Sequence, residues 1–354
     1  MKDTIKTARE IIEQYAGPPV RIMEVCGTHT HEIFRQGIRK LLPEQVHLIS
    51  GPGCPVCVTQ VGFIDEAIYL ALERQVTICT FGDLVRVPGT NMSLAGAREK
   101  GAKIRIVYSP VDAKEYAKEH PKEQVTFLSV GFETTTPSAC LSVKKAREEG
   151  LTNYSILTAN KTMPQAYEAL KGSADIFLYP GHVNAITGTK LCEELAKEGV
   201  SGVVAGFTAK ELLTALAVAL ARFQEGRPFF VNCYPRVVTE NGSPQAQKLV
   251  EEMMEPCDSE WRGLGVIKGS GMRLQEEWSA FDARKKYKIP LIQGKANPAC
   301  RCGDVLQGKC KPSDCKVFGK VCTPQHPIGA CMVSGEGACS AYYMYCLLYT
   351  SDAA

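Results

Sequence analysis

The stretch that decides the fold is "VHLISGPGCPVCVTQVGFIDEAIYLALERQVTICTF", residues 46–81. Its opening "VHLIS" is a short apolar run of strand length, and a loop rich in glycine and proline follows it. The segment "IDEAIYLALER" has the apolar spacing of a helix, and "VTICTF" is apolar again. The order of strand, helix and strand predicts a βαβ unit, with the pair Cys54 and Cys57 where the first strand leads into the helix.

The same alternation continues along the chain. Further runs of strand length are "RIMEV", "IRIVY", "VTFLSV", "YSILT", "DIFLY" and "GVVAGF". Segments with helical periodicity are "PSACLSVKKAREEG", "KLCEELAKEG" and "AKELLTALAVALARFQ". This pattern predicts an α/β fold in which helices cover parallel sheets.

The number of strands favours two parallel-sheet α/β domains, followed by a smaller Cys-rich region. The polar stretch "SPVDAKEYAKEHPKEQ" is taken as the boundary between the first two, near residue 115. After about Phe230 the periodic pattern decays, so a cluster or cross-links must supplement a small core there. The expected ranges are 18–115, 116–230, 231–345 together with an N-terminal helix at 1–17, and an atypical tail at 346–354.

Composition narrows the class of protein. The chain has 354 residues, 45% of them apolar and 22% charged, which is ordinary for a globular protein. The formal net charge is only +3, and lysine and arginine are scattered without a basic stripe interleaved with aromatic residues. We therefore expect no nucleic-acid partner. No apolar stretch approaches the length of a membrane span, so we expect a cytoplasmic protein that does not enter a membrane.

The cysteines are numerous and unevenly distributed. Eight of the 16 lie between Cys300 and Cys346, and single cysteines such as Cys79, Cys140, Cys192 and Cys233 sit among apolar or helical residues, where we expect inert packing. In a reducing compartment this density indicates metal, cluster or redox chemistry. Two Cys-x-x-Cys knuckles, the usual zinc pattern, are absent from the C-terminal run, and its surplus thiols favour a cluster beside a redox-active pair.

Loops with chemical groups follow the predicted strands. They read "EVCGTHTHE", "GPGCPVC", "FGDLVRVPGTNMS", "GFETTTPSA", "ANKTMP" and "YPGHVNAITG". Ligands of open α/β sheets bind beyond the carboxyl ends of the strands, so we expect these loops on one rim. Cys26 and His29 together suit a metal or an activated thiol, whereas His31 is expected at a helix start and His182 either orders its loop or contacts a ligand.

In this order, "CGTHTHE", "GPGCPVC", "GFETTTPS", "PGHVNAITG" and "VCTPQHPIGACMVSGEGAC" resemble the hydrogenase maturation factor HypD family along nearly the whole chain. The resemblance implies a cytosolic three-domain protein, with two similar parallel-sheet α/β domains plus a smaller Cys-rich iron-sulfur domain that carries a [4Fe-4S] cluster. It implies that the protein acts with a HypC-type chaperone as the scaffold on which the Fe(CN)2CO unit of [NiFe]-hydrogenase is assembled. Cyanide would arrive from a HypE-type partner.

The resemblance also implies roles for individual cysteines. Residues implied to handle the transient Fe(CN)2CO iron are Cys26, Cys54 and Cys57. Residues implied to ligate the [4Fe-4S] cluster are Cys300, Cys315, Cys322 and Cys339. A pair resembling that of ferredoxin:thioredoxin reductase is implied at Cys302 and Cys331. Cys310 has no counterpart, and the tail "CLLYTSDAA" departs from the family pattern, which leaves Cys346 without an implied role.

Several roles remain open at this level. Cys26 is expected to be the principal iron ligand where the HypC-type chaperone binds, with His29 orienting it or relaying a proton. Cys54 and Cys57 either form a redox couple or bind iron transiently, and their position at a helix start is expected to lower a thiol pKa to roughly 3.5–7.5. The alternative function is a thiol-disulfide oxidoreductase with "CPVC" as its dithiol. A nucleotide-binding enzyme is disfavoured because no phosphate-binding glycine motif is present.

Overall fold

The computed structural model describes residues 2–347. Two parallel sheets and one antiparallel hairpin are formed by the strands β1 Val20–Glu24, β2 Val46–Ser50, β3 Thr77–Thr80, β4 Ile104–Ile106, β5 Val125–Ser129, β6 Tyr154–Thr158, β7 Ile176–Pro180, β8 Ser201–Ala205, β9 Phe230–Asn232, β10 Met254–Trp261 and β11 Gly265–Leu274. Sheet 1 has the strand order β2-β1-β7-β8-β9 and sheet 2 the order β4-β3-β5-β6, while β10 pairs with β11. The predicted α/β class with parallel sheets is confirmed, and each of the eight quoted runs contains a strand.

Helices connect the strands and cover the sheets. The α-helices are α1 Lys2–Glu13, α2 Gly27–Arg35, α3 Pro55–Val58, α4 Val61–Glu73, α5 Leu94–Glu99, α6 Pro110–Glu119, α7 Thr136–Glu148, α8 Met163–Ala169, α9 Gly181–Thr187, α10 Lys190–Lys197, α11 Ala209–Phe223, α12 Pro244–Met253, α13 Ala283–Tyr287, α14 Cys302–Leu306 and α15 Ala338–Tyr342. Short 3-10 helices lie at Ile38–Leu41, Gly82–Arg86, Glu276–Phe281, Pro312–Asp314 and Ala330–Met332, and a π-helical turn at Tyr343–Leu347.

Local chemistry fixes the helix starts. The long helix α11 begins at a capping box, in which the Thr208 side chain accepts from the backbone N–H of Glu211 and the Glu211 carboxylate accepts from the backbone N–H of Thr208. Proline stands in the first turn of α3, α6, α7, α8 and α12, where its missing N–H costs no helical hydrogen bond. These capping residues fix where each helix begins, and therefore where the loop that precedes it ends.

The division of the strands differs from the expected one. Sheet 1 takes its strands from residues 20–50 and 176–232, and sheet 2 takes its strands from residues 77–158. Residue 115 lies inside α6, which links two strands of the same sheet. The strands are therefore not divided near residue 115. The polar stretch misled the prediction because α6 buries only a narrow face, including Ala113 and Ala117, and exposes charged residues elsewhere.

The strands at the centre of the sheets are fully enclosed. Every residue of β5, β6, β7 and β8 is buried, as expected for parallel strands with helices on both faces. Cys79, Cys140 and Cys192 are buried in the surrounding cores, which confirms the expected packing, and Cys233 is half-buried.

The N-terminal helix does not pack with the Cys-rich region as expected. Ile12 and Tyr15 share a core with Leu212 and Leu216 of α11, which covers sheet 1. The reason lies in the amphipathic pattern of α1, whose apolar stripe matches the apolar face of α11. The helix therefore belongs to sheet 1.

The hairpin β10–β11 was missed by the periodicity analysis. Its strand "MEPCDSEW" alternates half-buried and exposed positions between two buried ends, but charged residues on the outer face and glycines in β11 mask the pattern. Buried Lys161 fastens the hairpin to sheet 2, because its Nζ donates to Ser259 Oγ at 2.6 Å and to the Glu260 carbonyl at 2.7 Å. The Trp261 indole is buried and donates to Ser270 Oγ at 2.7 Å.

The Cys-rich end, from Cys300 onward, contains short helices and turns. Its side chains share one core with residues that follow β1 and β2, among them Val25 and Cys57. The predicted tail at 346–354 lies outside the described residues from position 348 onward. Within residues 2–347, no helix combines the length and the apolar character needed to cross a membrane.

The packing of α1 can be tested with two adjacent isoleucines. Ile12 is fully buried, whereas Ile11 is 42% exposed. We expect Ile12→Ala to lower the free energy of unfolding by roughly 2–5 kcal/mol because it leaves a cavity against α11. Ile11→Ala should change it by less than about 1 kcal/mol. Urea unfolding of both variants checks this, and equal effects would contradict the assignment of α1 to sheet 1.

Candidate functional site

The ends of β1 and β2 are joined backbone to backbone. The Gly51 N–H donates to the Glu24 carbonyl at 2.9 Å, and the Gly27 N–H donates to the Gly53 carbonyl at 3.0 Å. A β-carbon added at Gly53 would collide with the backbone of Cys26. The glycines of "GPGCPVC" therefore let the two cysteine loops approach more closely than side chains would permit.

Cys26 is the last residue before α2 and is 1% exposed. Burial, with a smaller contribution from the Glu336 carboxylate, raises the pKa of its thiol to about 12. Backbone N–H groups of His29 and Thr28 face the sulfur and oppose this shift. The Cys26 thiol is consequently protonated at neutral pH. Binding a metal at this sulfur would release a proton.

The "CPVC" turn has the predicted position at a helix start but not the predicted acidity. The Cys54 sulfur caps α3 by accepting from the Cys57 N–H at 3.2 Å. Burial and the neighbouring thiols raise the pKa of Cys57 well above its usual value. The prediction of a thiolate at Cys57 is therefore wrong. Helix α3 has only four residues, and its small dipole does not offset the rise in pKa caused by complete burial of the thiol.

Cys57 contacts the Cys-rich end directly. Its thiol hydrogen-bonds with that of Cys331. The Cys331 sulfur also accepts hydrogen bonds from the thiols of Cys302 and Cys339. These three donors lower the pKa of Cys331. The pKa of Cys339 is raised by its hydrogen bonds with Cys302 and Cys331 and then by burial. The structure thus brings the two cysteines of "CPVC" together with three cysteines from more than 240 residues further along the chain. The resulting buried thiol group consists of Cys54, Cys57, Cys302, Cys331 and Cys339.

Other cysteines surround this thiol group. The Cys300 and Cys302 sulfurs are 3.2 Å apart, and a β-carbon at Gly329 would collide with both. Cys322 accepts from the Ile328 N–H at 3.4 Å, and Cys315 lies nearer the surface with its sulfur 3.9 Å from the Ala299 carbonyl oxygen. None of the 16 cysteines, which all fall within residues 2–347, forms a disulfide.

No three histidine, cysteine, aspartate or glutamate side chains among the described residues stand ready to hold a metal ion. The donor chemistry nevertheless suits iron, because soft thiolates are the ligands of iron-sulfur clusters. The absence of a β-carbon at Gly329 lets the sulfurs of Cys300 and Cys302 pack directly against the backbone there. The residues present therefore fit a cluster in their chemistry.

His29 and His182 lie on either side of the Phe207 ring. His29 Nε2 donates to the Gly206 carbonyl at 3.0 Å, and the rings of His29 and His182 lie 5.0 Å and 5.1 Å from the ring of Phe207. Burial lowers the pKa of His29 to about 3 and that of His182 to about 4, so both imidazoles are neutral. His29 Nδ1 is buried and has no hydrogen-bond partner among the described residues.

Glu336 is a site residue that the sequence analysis missed. Its carboxylate accepts from Thr28 Oγ1 at 2.6 Å and lies next to Cys26. His31 Nδ1 donates to the Gly335 carbonyl at 3.0 Å, so the turn at 334–336 covers the start of α2. The motif "SGEGAC" contained this glutamate, but nothing in its spacing indicates a partner about 300 residues earlier in the chain.

An open groove lies over these residues. Its volume is about 590 Å³, and its walls come from the loops after β1, β2 and β3 and from the turn at 334–336. Residues in these walls include Thr28, Val56, Asp83 and Glu336. The loops predicted on one rim are therefore divided between two sheets, and the groove is the place where loops of both sheets meet.

The remaining predicted loops have different roles. Lys161 of "ANKTMP" anchors the hairpin described above. Glu133 of "GFETTTP" is held by the Met163 N–H at 2.8 Å, while its other carboxylate oxygen is buried without a partner among residues 2–347. Burial raises the pKa of Glu133 to about 7.

Fold and site together define a two-sheet α/β protein with a buried multi-thiol centre. The model of the HypD family, described as "Hydrogenase formation hypA family", matches residues 2–346. The chain is 42% identical over 346 residues to the hydrogenase maturation factor HypD of Cupriavidus necator, covering 94% of this chain and 91% of the relative.

Two further relatives carry the same name. Identity to HypD of Rhizobium leguminosarum is 44% over 336 residues, with 91% of this chain and 87% of the relative covered. Identity to HypD of Escherichia coli is 43% over 335 residues, with 92% and 89% covered. The chain belongs to the HypD family of hydrogenase maturation factors.

The raised pKa of Glu133 predicts a pH dependence of stability. The folded protein favours the protonated acid, so this group stabilises the fold below its usual pKa of 4.5, and that contribution is lost as the pH rises through about 7. We expect Glu133→Gln to be more stable than wild type at about pH 8, by roughly 1–3 kcal/mol, and equal to it near pH 4.5. Urea unfolding at both pH values measures the difference.

A surface variant controls for the general effect of removing one charge. Glu44 is exposed, so Glu44→Gln should show no such change between the two pH values. A Glu133→Gln protein less stable than wild type at about pH 8 would contradict the assignment.

Proposed function

We propose that this HypD-family protein is a cytoplasmic assembly scaffold for the Fe(CN)2CO unit of [NiFe]-hydrogenase. The iron unit is its cargo, held at the Cys26 sulfur and shared with a HypC-type chaperone docked in the groove above. A HypE-type partner delivers cyanide to the same place. A scaffold must release its product, and a site shared by two proteins opens when they separate.

The observation that carries the proposal is the meeting of Cys26, the "CPVC" turn and the Cys-rich end around one groove. Gly27, next to Cys26, packs against Cys54 and Glu336, since a β-carbon there would lie 3.1 Å from Cys54 Cβ and 2.7 Å from Glu336 Cβ. Strong-field ligands such as cyanide and carbon monoxide require electron-rich iron, and thiolates supply that electron density. The neighbouring thiols can then supply electrons.

The chain's own residues have distinct parts in this proposal. Cys26 gives up its proton when it binds the iron unit, and the adjacent Glu336 carboxylate is placed to accept it. Neutral His29 holds the start of α2 against Gly206, and its buried Nδ1 has no hydrogen-bond partner among the described residues. Burial of Cys54 and Cys57 excludes water and oxygen from their sulfurs, whether they act as a redox couple or bind iron transiently.

The residues proposed to hold a [4Fe-4S] cluster are Cys300, Cys315, Cys322 and Cys339. When bound, the cluster supplies single electrons at low potential. Cys302 and Cys331 are proposed to alternate between dithiol and disulfide beside it. The contact between Cys331 and Cys57 then links this pair to "CPVC".

A second candidate function uses the same contact. The pair Cys57 and Cys331 would also serve a thiol-disulfide oxidoreductase, in which a reduced pair on one side opens a disulfide on the other. Cys26 distinguishes the two functions. Disulfide exchange between "CPVC" and the Cys-rich end does not use it, whereas iron assembly requires it.

The proposal is tested with the complex of this protein and a HypC-type chaperone, prepared anaerobically. Infrared spectroscopy should show CN and CO stretching bands, and the protein should contain about four cluster irons. Cys26→Ala should remove the CN and CO bands and leave the brown chromophore, because the cargo ligand is lost and the cluster ligands are not. Cys322→Ala should remove the chromophore.

Cys79→Ala is the matched control, because Cys79 is equally buried but lies in sheet 2. The Cys79→Ala protein should keep both the CN and CO infrared bands and the brown chromophore. CN and CO bands of normal intensity in Cys26→Ala would refute the scaffold role and leave the oxidoreductase. A colourless wild type containing one zinc would refute the cluster.

A further inference from the structure

One segment of the chain carries an excess of positive charge. Residues 295–320 contain six lysines or arginines and two aspartates, a local net charge of +4, whereas the whole chain has a formal net charge of +3. The rest of the chain is therefore slightly acidic. The segment includes two of the proposed cluster ligands, Cys300 and Cys315.

Four lysines of this segment form what we call the lysine face: Lys309, Lys311, Lys316 and Lys320. All four are exposed, and within the described residues none of them forms an ion pair. The basic residues across the adjacent groove differ. Arg21 pairs with Asp175 at 3.1 Å and Arg39 with Glu24 at 2.6 Å, so their charges are already compensated within the fold.

The lysine face includes sequence neighbours of a half-buried cysteine. Cys315, which is half-buried, lies between Lys311 and Lys316 in the sequence. Lys309 and Lys311 form one wall of a surface groove of about 650 Å³ that also contains Ile49 and Val305. Apolar contact is available next to the charges as well, because Val321 is 65% exposed. A charged rim beside exposed apolar residues is typical of a surface for a transient protein partner.

We infer that the lysine face docks an acidic protein that carries single electrons, and that it does so to reduce the centre held by Cys300 and Cys315. The inference rests on the proposed function. Two encounters deliver two electrons, which together with two protons convert one disulfide of Cys302 and Cys331 into two thiols. Each of the two donor molecules is oxidised by one electron.

The charges favour this occupant over nucleic acid. The only aromatic residue of the segment is Phe318, which is 8% exposed and unable to stack with bases. An unpaired basic surface with a small apolar contact attracts an acidic protein over long range and lets it leave quickly. Such steering raises association rates by about 10- to 1000-fold at low ionic strength.

The test measures electron delivery to the anaerobic, cluster-containing full chain in a stopped-flow instrument. A reduced acidic 2[4Fe-4S] ferredoxin is the probe. Wild type should be reduced rapidly at about 0.02 M ionic strength and at least about ten-fold more slowly at about 0.3 M. Binding of the oxidised probe, measured by calorimetry, should weaken in parallel.

The combined variant Lys309→Glu, Lys311→Glu and Lys316→Glu should be reduced at least about ten-fold more slowly than wild type at low ionic strength and should bind the probe weakly. The corresponding Lys→Gln variant should have a reduction rate between those of wild type and the Glu variant. It replaces the Glu variant in the comparison if the Glu variant loses the brown colour of the cluster. The control Lys100→Glu, Lys122→Glu and Lys248→Glu changes exposed lysines outside the segment and should behave as wild type.

Reduction by the methyl viologen radical cation distinguishes a failure of the docking inference from a failure of the proposed function. At about 0.3 M ionic strength, where surface charges are screened, wild type and all variants should be reduced by it alike, which shows that the cluster is present. No reaction in wild type would refute the proposed function itself. Equal rates of wild type and the Glu variant with the ferredoxin would overturn the docking inference. Tighter binding of a short DNA duplex than of the ferredoxin, lost in the same variant, would also overturn it.

Discussion

The close approach of two glycine-containing backbones is the constraint on which the site depends. Gly53 lies against the backbone of Cys26 with no space for a β-carbon, and one hydrogen bond of 3.0 Å closes the contact from Gly27 to Gly53. This contact orients α3 so that Cys57 enters the core and reaches Cys331. A side chain at position 53 would separate the loops and remove "CPVC" from the Cys-rich end.

Complete burial then sets the chemistry of the thiols. Desolvation raises the pKa of Cys26 to about 12 and that of Cys57 well above its usual value, so the resting thiols are neutral. Neutral buried thiols resist oxidation, because the thiolate is the reactive form. Metal binding or a redox partner must therefore supply the free energy that removes the protons, which couples reactivity to the arrival of cargo or electrons.

The sequence allowed the parallel strands to be predicted because short apolar runs between turn residues are local signals, as in "VTFLSV" and "YSILT". It did not reveal which strands share a sheet, since β7 pairs with β1 across about 150 residues. The hairpin at 254–274 was hidden because its exposed face is charged. Glu336 was missed for a related reason: its contact with Thr28 depends on the fold, and a single glutamate between glycines has no local signature.

The central claim is that "CPVC" and the Cys-rich end form one continuous thiol site. It is tested most directly in the metal-free protein with Cys54, Cys302 and Cys339 changed to serine, which leaves Cys57 and Cys331 as each other's neighbouring thiols. Mild oxidation followed by peptide mass spectrometry should then yield a disulfide between Cys57 and Cys331 as the main product. Recovery of both residues as free thiols, while half-buried Cys310 reacts, would contradict the account.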